Sequence, residues 1–147
     1  MTGWHDELVK ILEEEEKLLK ALYDTVSKER DAIVSLDSQE LERILIEKQE
    51  ILTKLSLWEK EREKLLEKHN LKGTGLEKII ESADKNSENT LRLRELYKTM
   101  KTMLTAIAEI QRINEQLIDR SIIHIGTAIK FLETFGINAK QSLSKEA

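Results

Sequence analysis

Histidines are the residues of this chain best suited to acid–base or metal chemistry near neutral pH, and there are three of them: His5, His69 and His124. In di-iron helical bundles a ligating histidine follows a glutamate by three positions, and none of the three histidines has glutamate there. The sequence also lacks a His-Glu-x-x-His zinc motif, a glycine-rich phosphate loop and a Gly-x-Ser-x-Gly nucleophile elbow. It therefore predicts no catalytic residue, no metal ligand, no cofactor and no enzyme activity.

Four consecutive glutamates, Glu13 to Glu16, are the next candidate for chemistry, because clustered carboxylates can bind a cation. Successive residues of a helix point in different directions around its axis, so these four cannot converge on one ion. The run predicts a solvated acidic turn. Glu59 and Arg62 lie one helical turn apart and are predicted to form an ion pair on the surface.

Two polar residues, Gln111 and Asn114, interrupt an apolar stripe where a plain bundle would carry leucine. One interpretation is that they pair across the bundle, with each other or with other polar groups, and fix its register. The other is a polar latch, or hinge, that separates a stable bundle from a region that engages a partner. The sequence leaves both interpretations open.

The stripe itself predicts the longest element of the protein. Its members recur at alternating steps of three and four, and they fall within an arc of about 140° at 100° per residue. No proline interrupts it, so we expect a helix of about 45 residues, about 70 Å long, with a permanent helical neighbour. The stripe comprises Leu93, Tyr97, Met100, Leu104, Ile107, Ile118, Ser121, Ile125, Ala128, Leu132 and Phe135.

Composition restricts both the fold class and the partners. The 147 residues include no Pro and five Gly, and 35% are charged, mostly Glu and Lys, as on the outside of helical bundles. The net charge of -4 argues against nucleic acid, which needs a basic face. No run approaches the ~18 to 20 apolar residues of a membrane span, so no stable membrane insertion is expected. The absence of Cys and of a secretion signal fits a reducing cytoplasm.

The order of these features predicts an all-α protein, an elongated antiparallel helical bundle or coiled coil of three long helices and one short helix. We expect a single domain, residues 1–147, with helices at about 6–34, 38–69, 76–83 and 88–135 and a flexible tail at 136–147. The predicted inward face of the first helix is Leu8, Leu12, Leu19, Leu22, Val26 and Ile33. That of the second is Leu41, Leu45, Leu52, Leu55, Trp58 and Leu65.

Two capping boxes mark helix starts. Asp37 is expected to cap the second helix with Glu40 as its reciprocal partner, and Ser38 is a competing cap. Thr74 and Glu77 have the same spacing and are expected to start the short helix, after a loop in which Gly73 takes the left-handed conformation.

The C-terminal segment is more apolar than a helix with two neighbours needs. Ile123 and Phe131 project about 140° to either side of the stripe's centre, at 100° per residue. They could cover loops or meet a dimer mate. Alternatively, the segment forms a surface that receives an amphipathic helix from another protein. The predicted partner-binding residues are Leu117, Ile118, Ile122, Ile123, Ile125, Ile129, Phe131, Leu132 and Phe135.

Two stretches of the chain resemble a known family. The run from Glu47 to Arg62, EKQEILTKLSLWEKER, is similar to the pattern E-K-x-x-L-L-x-x-L-x-x-L-E-x-x-R of FlgN-like flagellar export chaperones. Further on, Asn114, Leu117 and Ile118 match the family's second signature, an asparagine followed by two aliphatics and a long amphipathic helix. The glycine that commonly follows that asparagine is Glu115 here.

This resemblance implies a cytosolic chaperone for the hook–filament junction proteins, which are flagellar hook-associated proteins. Such chaperones keep their clients unpolymerised and deliver them to the flagellar type III export apparatus. In the family, the client's C-terminal helical segment is held largely by the C-terminal region of the chaperone. The resemblance implies no cofactor.

Two rival hypotheses make different predictions. The first is a structural coiled-coil protein without a client that forms a homodimer through the same C-terminal helix. The second is an enzyme or metal carrier on a helical scaffold, which stoichiometric iron or zinc in the purified protein would support.

Overall fold

The computed structural model describes residues 3–134, with side chains described as far as Arg120. Its elements are four helices: α1 (Gly3–Val34), α2 (Ser38–Lys68), α3 (Leu76–Ser82) and α4 (Glu88–Thr134). Three long helices and one short helix confirm the all-α fold. Helix α1 begins three residues before the predicted start because Trp4 packs against the core and stacks on His69, with ring centroids 4.9 Å apart.

Contacts between the helices fix their directions. Late residues of α1 meet early residues of α2, as in the ion pair of Glu29 with Lys48, so these helices are antiparallel. Helix α4 instead runs parallel to α1: Asn89 at its start bonds Asp6, and Asn114 further along bonds Glu29. The three long helices thus run up, down and up. Helix α3 packs against α4, where the chain turns back between α2 and α4.

Helix α1 is the central element. Both α2 and α4 pack closely along it, whereas no Cα atom of α2 lies within 8 Å of a Cα atom of α4 in the described chain. The predicted inward face of α1 is confirmed, since all six of its members are buried. The core also takes Leu93, Leu96 and Met100 from α4 and Ile79 and Ile80 from α3.

The predicted inward face of α2 is wrong in part. The buried residues are Ile44, Ile51, Leu65 and Leu66, while Leu45 and Leu52 are exposed. The reason is that α2 packs on α1 through the neighbouring isoleucines. Its leucines at positions 45 and 52 lie on the same side of the helix as Lys48, which reaches Gln111 of α4, and the backbones of α2 and α4 do not come close.

The two interhelical connections only partly follow the predicted capping. Asp37 is the N-cap of α2 and accepts a hydrogen bond of 3.0 Å from the Glu40 amide, but the Glu40 side chain pairs with Arg43 instead of returning to Asp37. Gly73 has a φ of +79°, as expected. The second box is wrong: α3 has Gly75 as its N-cap, and no side chain caps it.

Candidate partner-binding surface

A buried polar cluster joins the three long helices at the positions where the apolar stripe is interrupted. We define the polar cluster as Glu29 of α1, Lys48 of α2, and Gln111 and Asn114 of α4. The Asn114 amide donates to a Glu29 carboxylate oxygen at 2.7 Å and to the Val26 carbonyl at 2.9 Å. The Lys48 ammonium donates to Glu29 at 3.2 Å and to the Gln111 side-chain oxygen at 2.5 Å.

The polar cluster is stabilised by neutralisation of the charge on the buried Glu29 carboxylate. Glu29 is 2% exposed, and an ionised carboxylate at such a site needs both a counter-charge and hydrogen-bond donors. Lys48 supplies the charge and Asn114 a further donor. Because each helix contributes at least one member, sliding any helix along its axis would break the cluster. This is the geometry that the register interpretation requires, and the latch interpretation stays a prediction.

Sequence reasoning identified only half of this cluster. Glu29 interrupts the apolar face of α1 in the sequence, but the sequence does not identify its partner, because that pairing depends on how the helices are staggered. Lys48 carries no local signal, since lysine is common on helix surfaces. In the described structure, the carbonyl oxygen of the Asn114 side chain is buried without a hydrogen-bond partner.

A second interhelical ion pair lies closer to the start of α1 and overturns two expectations. Glu15 is 5% exposed, so the run Glu13 to Glu16 is not uniformly solvated. Its carboxylate accepts from Arg62 at 3.1 Å, and Arg62 therefore pairs across the bundle instead of along α2 with Glu59. Desolvation raises the pKa of Glu15; Arg62 opposes the rise and Glu59 adds to it.

The register of the helices determines how far α4 extends. Asn114 lies level with Glu29, five residues before α1 ends at Val34. With equal rise per residue, position 119 or 120 of α4 is level with the end of α1. The backbone of residues 121–134 is helical and continues for about 21 Å beyond that level at 1.5 Å per residue. We call this the projecting segment of α4, and the end of the bundle from which it projects the turn end.

Most of the predicted partner-binding residues belong to the projecting segment. Leu117 and Ile118 are half-buried near the turn end. The remaining residues, Ile122, Ile123, Ile125, Ile129, Phe131, Leu132 and Phe135, lie outside the described side chains. Their role as a binding surface therefore stays a prediction.

Exposed apolar side chains near the turn end were not predicted from the sequence. Val34 is 67% exposed and Leu36, in the turn between α1 and α2, is 76% exposed. On α2, Leu45 lies on the same side as Lys48, the residue that reaches Gln111 of α4. Periodicity does not predict their exposure: Val34 is the last residue of α1, Leu36 lies in the turn after it, and Leu45, predicted to face inward, sits beside the buried Ile44.

Other kinds of site find no support in the described part of the chain. No three His, Asp or Glu side chains come together there in a way that could hold a metal ion. His5 and His69 flank Trp4 at the start of α1, and burial together with the positive potential of His69 lowers the pKa of His5. None of the described helices is long and apolar enough to cross a membrane.

The fold is that of a small helical-bundle protein. Comparison with known families gives one match: the model of the FlgN protein family aligns with residues 1–135. The chain belongs to this family, whose members are flagellar type III export chaperones that bind hook-associated proteins and are not enzymes. Comparison with curated proteins and with solved structures gives no match.

Proposed function

We propose that this protein binds the C-terminal helices of hook–filament junction proteins in the cytoplasm, prevents their premature assembly and delivers them to the export gate. Membership of the FlgN family supports the general activity. One observation supports this location for the site: α4 continues about 14 residues past the level at which α1 ends. This length of helix is rich in isoleucine, leucine and phenylalanine, whose apolar surface favours packing against a partner helix.

The mechanism is capping by helix replacement. In the filament, the terminal amphipathic helices of a junction protein are buried against neighbouring subunits. In the complex they pack instead on the projecting segment of α4, whose predicted contact residues include Ile122, Ile125 and Ile129. Each fully buried Ile or Leu contributes roughly 1.5–3 kcal/mol, so a few anchors suffice for a stable but reversible complex.

Release requires no chemical step by the chaperone. A client held by apolar helix packing can be displaced when the export apparatus competes for the client helix or for the chaperone surface. The polar cluster keeps α4 attached to the bundle during release. Through it, Asn114 holds α4 in register with α1 up to the turn end while the projecting segment exchanges partners.

Calorimetry tests the proposal. The full chain is titrated with synthetic C-terminal helical segments of the junction proteins from the same genome, and in parallel with a scrambled peptide of the same composition. We expect saturable one-to-one binding that disappears when the chain is truncated after Arg120, a position that retains the polar cluster. Absence of binding by the full chain, together with a stable homodimer in sedimentation, would favour the structural coiled-coil hypothesis.

A further inference from the structure

Helices α1 and α2 end in the same backbone motif but use different residues in its most restrictive position. At the end of α1, Leu36 has a φ of 56°, and the Asp37 amide bonds the Ala32 carbonyl. At the end of α2, Asn70 has a φ of 58°, and the Leu71 amide bonds the Leu66 carbonyl. Both are Schellman caps, whose left-handed position favours glycine or asparagine.

Asn70 satisfies that preference and Leu36 does not. A leucine with positive φ brings its Cβ close to the following carbonyl oxygen, a conformation that bulky residues rarely adopt. The strain is not compensated by burial, because the Leu36 side chain is 76% exposed. A strained, exposed leucine does not stabilise the free chain, and strain of this kind points toward function.

The position of Leu36 relative to α4 indicates what this side chain could contact. Leu36 and the exposed Val34 lie at the turn end, and we call these two residues the turn-end patch. The projecting segment of α4 rises beside this end for about 21 Å, the length of a 14-residue helix. A partner helix that packs along the whole projecting segment has one of its ends at the turn end, where the turn-end patch lies.

The charges around the patch restrict the occupant further. Residues 30–43 and 115–120 contain six carboxylates and three arginines. Two of the arginines, Arg30 and Arg43, already pair with Asp31 and Glu40. The excess of negative charge disfavours a second copy of this chain, which would bring two acidic surfaces together, and it favours a partner with lysine or arginine beside its apolar residues.

We propose that the turn-end patch is a second contact site for the client, occupied by the end of an amphipathic client helix whose terminal apolar residues are flanked by basic ones. This inference rests on the proposed function and deepens it, because it extends the binding surface from α4 to the α1–α2 turn. At this site the exposed Leu36 side chain supplies an apolar contact for the end of the client helix.

The substitution Leu36→Asn separates the two roles of this residue. Asparagine suits the left-handed position, as it does at Asn70, so the thermal unfolding temperature of the free chain should stay equal or rise. Loss of the apolar contact should weaken binding of the client's C-terminal segment about tenfold, as measured by calorimetry. Leu91→Gln, at a similarly exposed leucine near the start of α4, is the matched control and should bind as wild type does.

Three results would overturn the inference. Wild-type affinity in Leu36→Asn would show that the client does not reach the turn, while leaving the proposed function intact. A lower unfolding temperature in both Leu36→Asn and Leu36→Gly would show that Leu36 serves the fold. Absence of client binding by the wild-type chain would defeat the proposed function and this inference together. Weaker binding of the client segment by Glu42→Lys would support the inference, since that change reverses one negative charge near the turn-end patch.

Discussion

At the residue scale, Asn114 and Glu29 show how a polar side chain can occupy a core position. Asn114 is fully buried, and both hydrogens of its amide are used, one on the Val26 carbonyl and one on Glu29. The cost of placing a carboxylate there is offset by neighbours from two other helices. This arrangement fixes the register of the helices, and removing one of its members leaves a buried carboxylate with less compensation.

Replacing Asn114 by leucine should therefore destabilise the bundle even though leucine suits the stripe. The change removes one of the hydrogen bonds to the buried Glu29 carboxylate, and hydrogen bonds to charged groups contribute about 1.5–3 kcal/mol. Urea denaturation should show a loss of that size, against a change within about 0.5 kcal/mol for the exposed control Gln116→Leu. A variant as stable as wild type would contradict the role assigned to Asn114.

Glu15 makes a second residue-scale prediction, concerning pH. Its folded-state pKa is raised above the ordinary value by burial, so the native state binds the proton more tightly than the unfolded state does. The contribution of Glu15 to stability is then greatest below its unfolded pKa and falls as pH rises through the folded pKa. Gln at position 15 cannot ionise, so the variant Glu15→Gln does not lose stability in this way. The free energy of unfolding of this variant relative to wild type should therefore increase with pH.

Unfolding free energies of wild type and Glu15→Gln, measured between pH 4 and pH 8, test this. Glu59→Gln offers a control, because Glu59 adds to the rise in the pKa of Glu15. That variant should show a weaker pH dependence than wild type. A fall in the stability of Glu15→Gln relative to wild type with increasing pH would contradict this prediction. It would mean that Arg62 lowers the pKa of Glu15 by more than burial raises it.

At the element scale, the turn between α1 and α2 combines a helix end and a helix start within three residues. Asp37 contributes to both, through its backbone amide to α1 and its side chain to α2. Asp37→Ala should cost about 1 kcal/mol of unfolding free energy, as expected for an N-cap. Thermal denaturation of Ser38→Ala, the competing cap candidate, should show almost no change. Equal losses in the two variants would mean that the cap is shared.

Helix existence and order could be predicted from the sequence because the periodicity is strong and punctuation is rare. Which face of α2 is buried could not be predicted reliably. Ile44 and Leu45 are adjacent, as are Ile51 and Leu52, so either pair member suits an inward position on local grounds. The choice depends on the unequal spacing of α2 and α4 around α1, a tertiary property.

The same limit applies to capping and to polar contacts. Asp37 was predicted as a cap because the signal is local and its geometry is stereotyped. The pairing of Arg62 with Glu15 joins residues that are 47 positions apart, and the helix stagger decides it. Residues that act within one turn of helix are thus predictable, while those that act between helices need the structure.

At the scale of the whole molecule, the three long helices differ in length. Helices α1 and α2 have 32 and 31 residues, whereas α4 has 47, so neither of the other long helices in the described chain matches the full length of α4. The polar cluster lies just before the helices part. In the proposed function, the projecting segment exchanges partners while the core of the bundle stays folded.

The central claim is that the projecting segment of α4 binds the client and is dispensable for the fold. The double substitution Ile125→Asp and Ile129→Asp tests it most directly, with Thr105→Asp and Ala108→Asp on exposed positions of the same helix as a charge-matched control. We expect that only the first variant loses affinity for the client's C-terminal segment, at least 100-fold by calorimetry, since each lost apolar anchor costs about 1.5–3 kcal/mol. Both variants should unfold at nearly the wild-type temperature. Melting of the whole bundle by the first variant, or unchanged client affinity, would contradict the claim.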